Sequence, residues 1–348
     1  MTTDKNTSPL LKRSFNLPEF LAENTIKGVS FISFAFIILI FVFVFREALP
    51  IFFPKEKIQE VKEEMIQETY GEEYLSADKE KKEVVSPLET SGDEGEATLK
   101  NLTGSEWQPV SRNPKYGLLP LVVGSLKVTL IAVLFGAPVA ILAALFTAAF
   151  ANKKVKELIK PTIEMLAGFP SVVIGFFALV VLATFLQNHF GYEYRLNAFV
   201  GGIALSLAVI PIVYTVAEDA LASVPKVLTE ASLSLGATKW QTALFVVLPA
   251  AIPGVFAAIL LGVGRAFGET MIVLMATGNA SLMSIKLFEP VRTMSATIGA
   301  EMAEVVFGDT HYNVLFMIGS ILFIFTFVLN AIAEFYVRNK LMKHIGGE

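Results

Sequence analysis

Long runs of apolar residues alternate along the chain with shorter polar segments. Each run approaches or exceeds the roughly 20 residues that an α-helix needs to cross the hydrocarbon core of a bilayer. The pattern therefore predicts an all-α integral membrane protein with six transmembrane helices. The predicted spans cover residues 29–53, 118–151, 163–186, 196–216, 248–278 and 314–336.

Two prolines, one in the second span and one in the third, are candidate helix breaks at the predicted depth of the membrane core. Pro138 ends a Gly-Ala-Pro sequence in the second span, and Pro170 lies in a Gly-Phe-Pro-Ser sequence in the third. Proline lacks the backbone donor of the helix and kinks or breaks it. Both positions are therefore predicted helix breaks, which membranes tolerate where neighbouring helices satisfy the freed backbone groups.

The composition agrees with a membrane protein. Hydrophobic residues make up 54% of the 348 residues and charged residues only 17%, whereas soluble domains carry about a quarter charged residues. Cysteine is absent, which excludes disulfides and thiolate metal sites. The three histidines are scattered without metal-ligand spacing, so we expect no metal site. No Ser-His hydrolase pattern occurs either.

The distribution of charge predicts the orientation. Lysine and arginine are concentrated in the N-terminal tail, in the segment after the second span and in the C-terminal tail. Six spans place these three regions on one side, and the positive-inside rule makes that side the cytoplasm. The predicted parts are a cytoplasmic tail (1–24), the first span (25–53), an extracytoplasmic insert (54–117), a transmembrane core (118–336) and a basic cytoplasmic tail (337–348).

The insert is strongly acidic. Residues 55–106 contain fifteen Asp or Glu and seven Lys or Arg, a local charge of −8. They are rich in Glu and Lys and poor in aromatic residues, which is typical of a solvated spacer. A specific docking surface is the alternative.

A polar, cappable element lies between the fourth and fifth spans, at about 223–247. Ser223 could cap a helix that has Pro225 in its first turn, and Gly236 is placed to end that helix in the left-handed conformation. Thr238 and Gln241 have the spacing of a capping box that opens the next helix. An ordinary connecting loop is the alternative. The apolar residues of the first helix share one face: Val227, Leu228, Ala231 and Leu235.

This element resembles the EAA loop of ABC importer permeases. The matching residues are Glu230-Ala231 followed by Ser232, Gly236 six residues after the glutamate, and Leu248-Pro249. Ser232 replaces the second alanine of the pattern, a small-for-small change. The resemblance implies that the element is a coupling helix, which sits in a groove of an ATPase subunit.

The chain lacks the Gly-rich loop and lysine that hold nucleotide phosphates. A Gly262-Val-Gly-Arg-Ala-Phe-Gly268 sequence has the wrong final spacing for a dinucleotide motif and follows no strand. We therefore expect no cofactor on this chain and no enzymatic activity, with ATP and Mg²⁺ bound by a partner.

Two ionisable residues lie inside the fifth predicted span. Arg265 and Glu269 are four residues apart, so they share a helix face and can pair. Ionisable groups at this depth each cost about 2.5–3.5 kcal/mol on insertion scales and usually face a pathway or bundle interior. A guanidinium suits an oxyanion because it donates two parallel hydrogen bonds. The alternative is a buried ion pair that fixes helix register, and Gly264-x-x-x-Gly268, a helix-packing motif, favours it.

The segment Arg265-Ala-Phe-Gly-Glu269-Thr270 resembles the signature of Pst-type phosphate importer permeases, and 166–175 resembles their third-span motif. Residues 292–304 and 311–316 are more similar to the PstC-type subunit than to the PstA-type. The resemblance implies a MetI-like permease core in a bacterial inner membrane. It also implies a phosphate pathway containing Arg265, Glu269 and Thr270. The expected partners are an ATPase dimer, a second homologous permease, a periplasmic phosphate-binding protein and membrane lipid, without nucleic acid.

Two rival functions remain open. A permease for molybdate, sulfate or phosphonate would have the same coupling element and differ around Arg265. A secondary transporter or channel would need no coupling helix and often shows inverted repeats, which the sequence lacks. Four other charged residues, Lys127, Glu164, Glu301 and Glu304, are interpreted as interfacial or solvated.

Overall fold

A computed structural model of the chain describes residues 17–52 and 99–345. The described residues are mainly helical. The helices are α1 (Leu17–Phe52), α2 (Leu99–Leu102), α3 (Leu119–Ala149), α4 (Lys153–Ala167), α5 (Ser171–Phe190), α6 (Ala198–Ala222), α7 (Lys226–Ser234), α8 (Lys239–Phe267), α9 (Met271–Ala276), α10 (Met294–Glu301) and α11 (Thr310–Ile345). Strands β1 (Trp107–Gln108) and β2 (Lys115–Tyr116) pair antiparallel as a hairpin.

Six of the described helices are long and apolar enough to cross a membrane: α1, α3, α5, α6, α8 and α11. The all-α, six-span prediction is therefore confirmed. Most of the acidic insert lies outside the described residues, so its interpretation as a spacer stays a prediction.

The third and fifth predicted spans differ most from the helices in the structure. The third predicted span, 163–186, is divided: α4 ends at Ala167, and α5 begins at Ser171 after an extended Pro170. The predicted break at Pro170 thus coincides with a helix boundary. The fifth predicted span, 248–278, is shifted, because α8 starts at Lys239 and ends at Phe267, before a separate short α9.

Pro138 does not break the helix, and a kink at this position stays a prediction. Helix α3 runs without interruption through Pro138, from Leu119 to Ala149. A proline inside a helix removes one backbone hydrogen bond. Packing of α3 against α6 holds the helix on both sides of that position: a Cβ at Gly136 would lie only 3.2 Å from the Ser206 carbonyl oxygen, and the Tyr214 hydroxyl donates to Thr147 Oγ1 at 3.0 Å.

The centre of the bundle is formed by α3, α6 and α8, which pack along one another. Small residues allow the close approach, as is typical between helices in membranes. A Cβ on Gly262 of α8 would lie 2.6 Å from Cγ2 of Val213 on α6. Helix α1 lies outside this centre and packs along α11.

The chain order gives the bundle two ends. Helix α3 starts beside the hairpin and finishes beside α4 and α7, and we call these the hairpin end and the α7 end. At the α7 end, Lys160 of α4 donates to Glu218 of α6 at 2.8 Å and lies 3.8 Å from Asp219. The hydrogen bond to Glu218 raises the pKa of the Lys160 ammonium group. This ion pair fastens α4, which buries none of its own residues, to the bundle.

At the hairpin end, the segment after α9 folds back onto the bundle. Gly278 pairs with Val291 in a single parallel bridge, and Thr293 caps α10 by accepting from the backbone N–H of Ala296 at 3.2 Å. The backbone N–H of Met294 donates to Ser125 Oγ of α3 at 2.9 Å. Helix α10 is thereby fixed between α3, α9 and α11.

Candidate functional site

Arg265 and Glu269 form an ion pair at a break in the helix. The guanidinium Nη2 lies 3.8 Å from Glu269 Oε2, too long for a hydrogen bond. Helix α8 ends at Phe267, so the predicted continuous helix face is wrong and Glu269 lies in the connection to α9. The Arg265 side chain is 53% exposed, whereas that of Glu269 is only 7% exposed.

The alternative of a packing motif is not supported within this chain. A Cβ on Gly264 would meet only Asn330 Oδ1, at the ordinary contact distance of 3.5 Å. A Cβ on Gly268 would meet only the Gly264 carbonyl oxygen, at 3.8 Å. Among the described residues, α11 reaches Gly264 only through the Asn330 side chain, and no neighbouring helix contacts Gly268. Gly268 is exposed and Gly264 partly exposed, and the Arg265 guanidinium is half-exposed next to them.

The break after α8 brings the two signature segments together. Thr270 precedes α9 as its N-cap, and its Cγ2 would lie 2.5 Å from a Cβ on Gly299 of α10. Gly175 of α5 packs on the start of α9, where a Cβ would lie 3.1 Å from the Met271 carbonyl oxygen. The third-span motif thus adjoins the segment that contains Arg265, Glu269 and Thr270. The buried Glu269 backbone also accepts from Ser295 Oγ of α10 at 2.7 Å.

Helix α7 is the predicted coupling helix, and it lies on the surface at the α7 end. None of its residues is buried. The predicted apolar stripe faces outward: the Leu235 side chain is 90% exposed, and Val227, Leu228 and Ala231 are exposed as well. Glu230 is also exposed. An outward apolar stripe on a short helix suits docking to another protein better than it suits an ordinary loop.

The turn that follows α7 has the predicted geometry. Gly236 adopts φ +87°, the left-handed conformation that favours glycine. Its N–H donates to the Leu233 carbonyl at 3.0 Å, which closes the end of α7. Thr238 and Gln241 form the predicted capping box at the start of α8. The predicted cap at Ser223 is wrong, because Ser223 ends α6 and its hydroxyl donates back to the Ala220 carbonyl at 2.7 Å.

Ser232, the departure from the EAA pattern, has a specific contact. Its hydroxyl lies 3.0 Å from the Thr242 hydroxyl, which joins α7 to the start of α8. A π-helical turn then runs from Ala243 to Val247, and regular α-helix resumes at Leu248-Pro249. π-Helical turns within α-helices often occur at functional sites.

The sequence interpretation missed a buried polar cluster at the hairpin end. Glu301 was expected to be solvated, but its side chain is only 13% exposed. Its carboxylate accepts from Arg292 Nη1, from Trp107 Nε1 at 3.2 Å and pairs with His311 Nε2 at 2.9 Å. We call these four residues the Glu301 cluster. No spacing in the sequence marks it, since Trp107 and Glu301 are 194 residues apart.

The remaining weak candidates have structural roles or none. Lys127 donates to the Lys286 backbone carbonyl at 3.1 Å, so it braces the outer connection. Glu164 and Glu304 are exposed, as expected. Within residues 17–52 and 99–345, no group of three or more His, Asp or Glu side chains has the arrangement of a metal site.

The chain matches the family model described as "Binding-protein-dependent transport system inner membrane component" over residues 118–340. A probable ABC transporter permease protein, YqgH of Bacillus subtilis, is 37% identical over 67% of this chain and 76% of its own length. The phosphate transport system permease protein PstC of Mesorhizobium japonicum is 33% identical over 67% of this chain and 76% of its own.

A further relative and a solved structure are also similar to this chain. The phosphate transport system permease protein PstC 1 of Mycobacterium tuberculosis is 31% identical over 64% of this chain and 72% of its own. An inward-facing structure of the MetNI methionine ABC transporter covers 64% of this chain and 95% of its own, with a TM-score of 0.49 and 19% identity.

Proposed function

The chain belongs to the family of binding-protein-dependent transport system inner membrane components, and from this premise we propose that it transports inorganic phosphate. It is the non-catalytic, multi-pass permease subunit of an ABC importer. Such an importer works with a binding protein and an ATPase. The proposal concerns the transported anion, the residues that contact it and the surfaces that the partners use.

The observation that carries the proposal is the half-exposed guanidinium of Arg265. Arg265 lies near the end of α8, beside Gly264 and Gly268. Glu269 is 3.8 Å away and makes no hydrogen bond with it, so the guanidinium N–H groups remain available to an anion. A guanidinium fork can give a tetrahedral oxyanion two parallel, charge-assisted hydrogen bonds. Glu269 restrains Arg265 while the pathway is empty. The names of the PstC relatives support phosphate as the anion.

The exposed face of α8 around Arg265 also supports a second permease. A lone chain exposes Arg265 and the glycines beside it, and exposed charge inside a bilayer is costly. A second, homologous permease placed against this face would close a pathway between the two chains. Phosphate would then pass Arg265, with Glu269 and Thr270 beside it.

We place the α7 end in the cytoplasm, with both termini, because lysines are concentrated there. Helix α7 would seat in an ATPase subunit, with Glu230, Ala231 and the Gly236 turn as the docked surface. ATP and Mg²⁺ would bind to that partner dimer, and this chain would bind no cofactor. A periplasmic phosphate-binding protein would deliver its ligand at the hairpin end.

Uptake of radiolabelled phosphate by the assembled importer tests the proposal. We expect Arg265→Ala to lower uptake at least about tenfold while the complex still assembles, because a hydrogen bond to a charged group is worth about 1.5–3 kcal/mol. Gly264→Ala is the matched control on the same face. It adds a methyl group at an ordinary contact distance, so uptake should stay near the wild-type level.

The rival functions give different results in the same assay. Excess molybdate, sulfate or phosphonate should leave phosphate uptake unchanged, whereas strong competition by one of them would favour another oxyanion as substrate. Uptake that continues without the ATPase would favour a secondary transporter. Normal uptake by Arg265→Ala would remove the proposed anion contact.

A further inference from the structure

A basic cavity lies behind the coupling helix at the α7 end. It has a volume of about 430 Å³, is open on one side and is bordered by α7, the ends of α3 and α6, the start of α4 and the start of α8. Three lysines from three different helices line it: Lys156, Lys226 and Lys239. Glu230 is the carboxylate among the lining residues, and because it is exposed at the rim it also borders the surface proposed to dock to the ATPase. Three ammonium groups against one carboxylate give the cavity a formal excess of two positive charges.

The three lysines differ from the neighbouring Lys160. Lys160 is neutralised by Glu218 and Asp219. Among the ion pairs of the described residues, none involves a lysine of the cavity. Lys156 donates to the Ala148 carbonyl at 3.3 Å, which holds its ammonium group at the cavity wall without neutralising it. The positive charge of the cavity is therefore available to an anion.

The start of α7 adds further donors. Val224 and Lys226 line the cavity, so the first turn of α7 borders it. The N-cap residue Pro225 makes no side-chain hydrogen bond to this turn. The first backbone N–H groups of a helix have no partner within the helix, and its dipole favours negative charge there. The hydroxyl-bearing Thr229 and Thr242 also line the cavity.

The rest of the wall is apolar, with Leu221, Leu233 and Val247 among its residues. Trp240 is 57% exposed beside the cavity and its ring lies 5.8 Å from that of Phe150. Aromatic residues of this kind are typical of the membrane–water interface. Basic pockets between helices at the cytoplasmic surface are suited to anionic lipid head groups.

We propose that this cavity binds a phosphate-bearing anion, held by Lys156, Lys226, Lys239 and the first turn of α7. The shared chemistry is a phosphate oxyanion, and its two possible sources are an anionic phospholipid and free inorganic phosphate. The apolar wall favours the phospholipid. An anion here would join α7 to the starts of α4 and α8, and so stiffen the coupling helix whatever solute the importer carries.

The test measures ligand binding to the full-length chain purified in detergent. Phosphatidylglycerol, phosphatidylcholine and inorganic phosphate are titrated separately, and the shift in melting temperature gives each affinity. We expect Lys226→Gln with Lys239→Gln to weaken phosphatidylglycerol binding by roughly tenfold or more, about 1.4 kcal/mol. Lys153→Gln with Lys154→Gln removes the same charge from outside the cavity and should leave the affinity unchanged.

The separate titrations distinguish a phospholipid from free inorganic phosphate as the bound anion. Binding of phosphatidylglycerol but not phosphatidylcholine, lost in the cavity variant, identifies a lipid head group. Binding of inorganic phosphate that is lost in the cavity variant and retained in Arg265→Ala identifies free phosphate at this cavity rather than in the transport pathway. Equal affinities in the cavity and control variants overturn the proposal, as does binding of neither ligand.

Discussion

The Glu301 side chain connects three separate segments of the chain at the hairpin end. Its carboxylate accepts from the side chains of Trp107 in β1, Arg292 before α10 and His311 at the start of α11. Burial alone would raise the pKa of the Glu301 carboxyl. Hydrogen bonds from His311 and Trp107 and the nearby charge of Arg292 outweigh burial, so the pKa lies below its ordinary value. The Glu301 cluster therefore stabilises the fold through the charged form.

The lowered pKa of Glu301 predicts how the stability of the fold changes with pH. A carboxyl whose pKa is depressed in the folded protein contributes stability above its unfolded pKa and loses it as pH falls through the folded value. We expect the wild-type melting temperature to fall more steeply with acidification below the ordinary Glu range than that of Glu301→Gln. At neutral pH, Glu301→Gln should cost about 1–3 kcal/mol, because it weakens bonds to partly buried donors. Melting curves across pH measure both effects.

Glu304→Gln is the matched control, since Glu304 is exposed three residues away. It removes the same charge and should change the melting temperature little at any pH. Identical pH profiles for Glu301→Gln and the wild type would contradict the assigned role.

At the scale of elements, α7 and its turn carry the link to the ATPase. Gly236 holds φ +87°, yet nothing lies within 4 Å of where its Cβ would be. A side chain there would meet no clash, and its cost would arise only from the backbone conformation. β-Branched residues are strongly disfavoured at positive φ. The sequence predicted this turn because its signals are local, from Gly236 itself to the capping box that follows.

We expect Gly236→Val to reorient α7 and to reduce both ATPase co-purification and uptake. The left-handed conformation costs a non-glycine residue roughly 1–2 kcal/mol, so the turn would relax to another geometry. Co-purification of the tagged ATPase measures the docking directly.

Gly191→Val is the matched control. Gly191 also has positive φ, +68°, and open space around its Cβ position, but it ends α5 at the other end of the bundle. Its substitution should cost similar stability and leave ATPase co-purification unchanged. If both variants lost the ATPase equally, general destabilisation would explain the result better than a coupling role.

At the scale of the whole molecule, the acidic insert is joined to the core by a fixed attachment. The chain enters the bundle through the hairpin, whose Trp107 is held by Glu301 and whose backbone carbonyl accepts from Ser281 Oγ at 3.1 Å. Helix α2 adds to this attachment, because the buried Leu102 accepts at its carbonyl from the backbone N–H of Leu118, just before α3, at 2.9 Å. Residues 99–106 of the acidic segment therefore pack against the core, and the interpretation of the rest as a spacer stays a prediction.

Deletion of residues 58–98 tests that prediction. We expect normal membrane expression and phosphate uptake, because the hairpin and the bundle keep all their described contacts. The substitution Trp107→Ala, which removes a donor to Glu301, should lower expression instead. Loss of uptake by the deletion with normal expression would indicate that the insert docks a partner.

The sequence by itself determined the features that depend on local order. Apolar runs predicted six spans, Pro170 a helix boundary, and Gly236 with Thr238 and Gln241 the turn after α7. These signals lie within a few residues of one another, because helix hydrogen bonds, caps and glycine conformations are local. Two expectations from local signals differ from the structure: Pro138 does not interrupt α3, and Ser223 does not cap α7.

Only the tertiary structure decided what distant segments do together. In the folded chain, Glu301 is buried among three partners and the Arg265 guanidinium is half-exposed. Three lysines from separate helices line one cavity. Each of these features depends on contacts between residues far apart in the chain. Such contacts are set by the packing of whole helices, and the pattern along a single helix does not contain them.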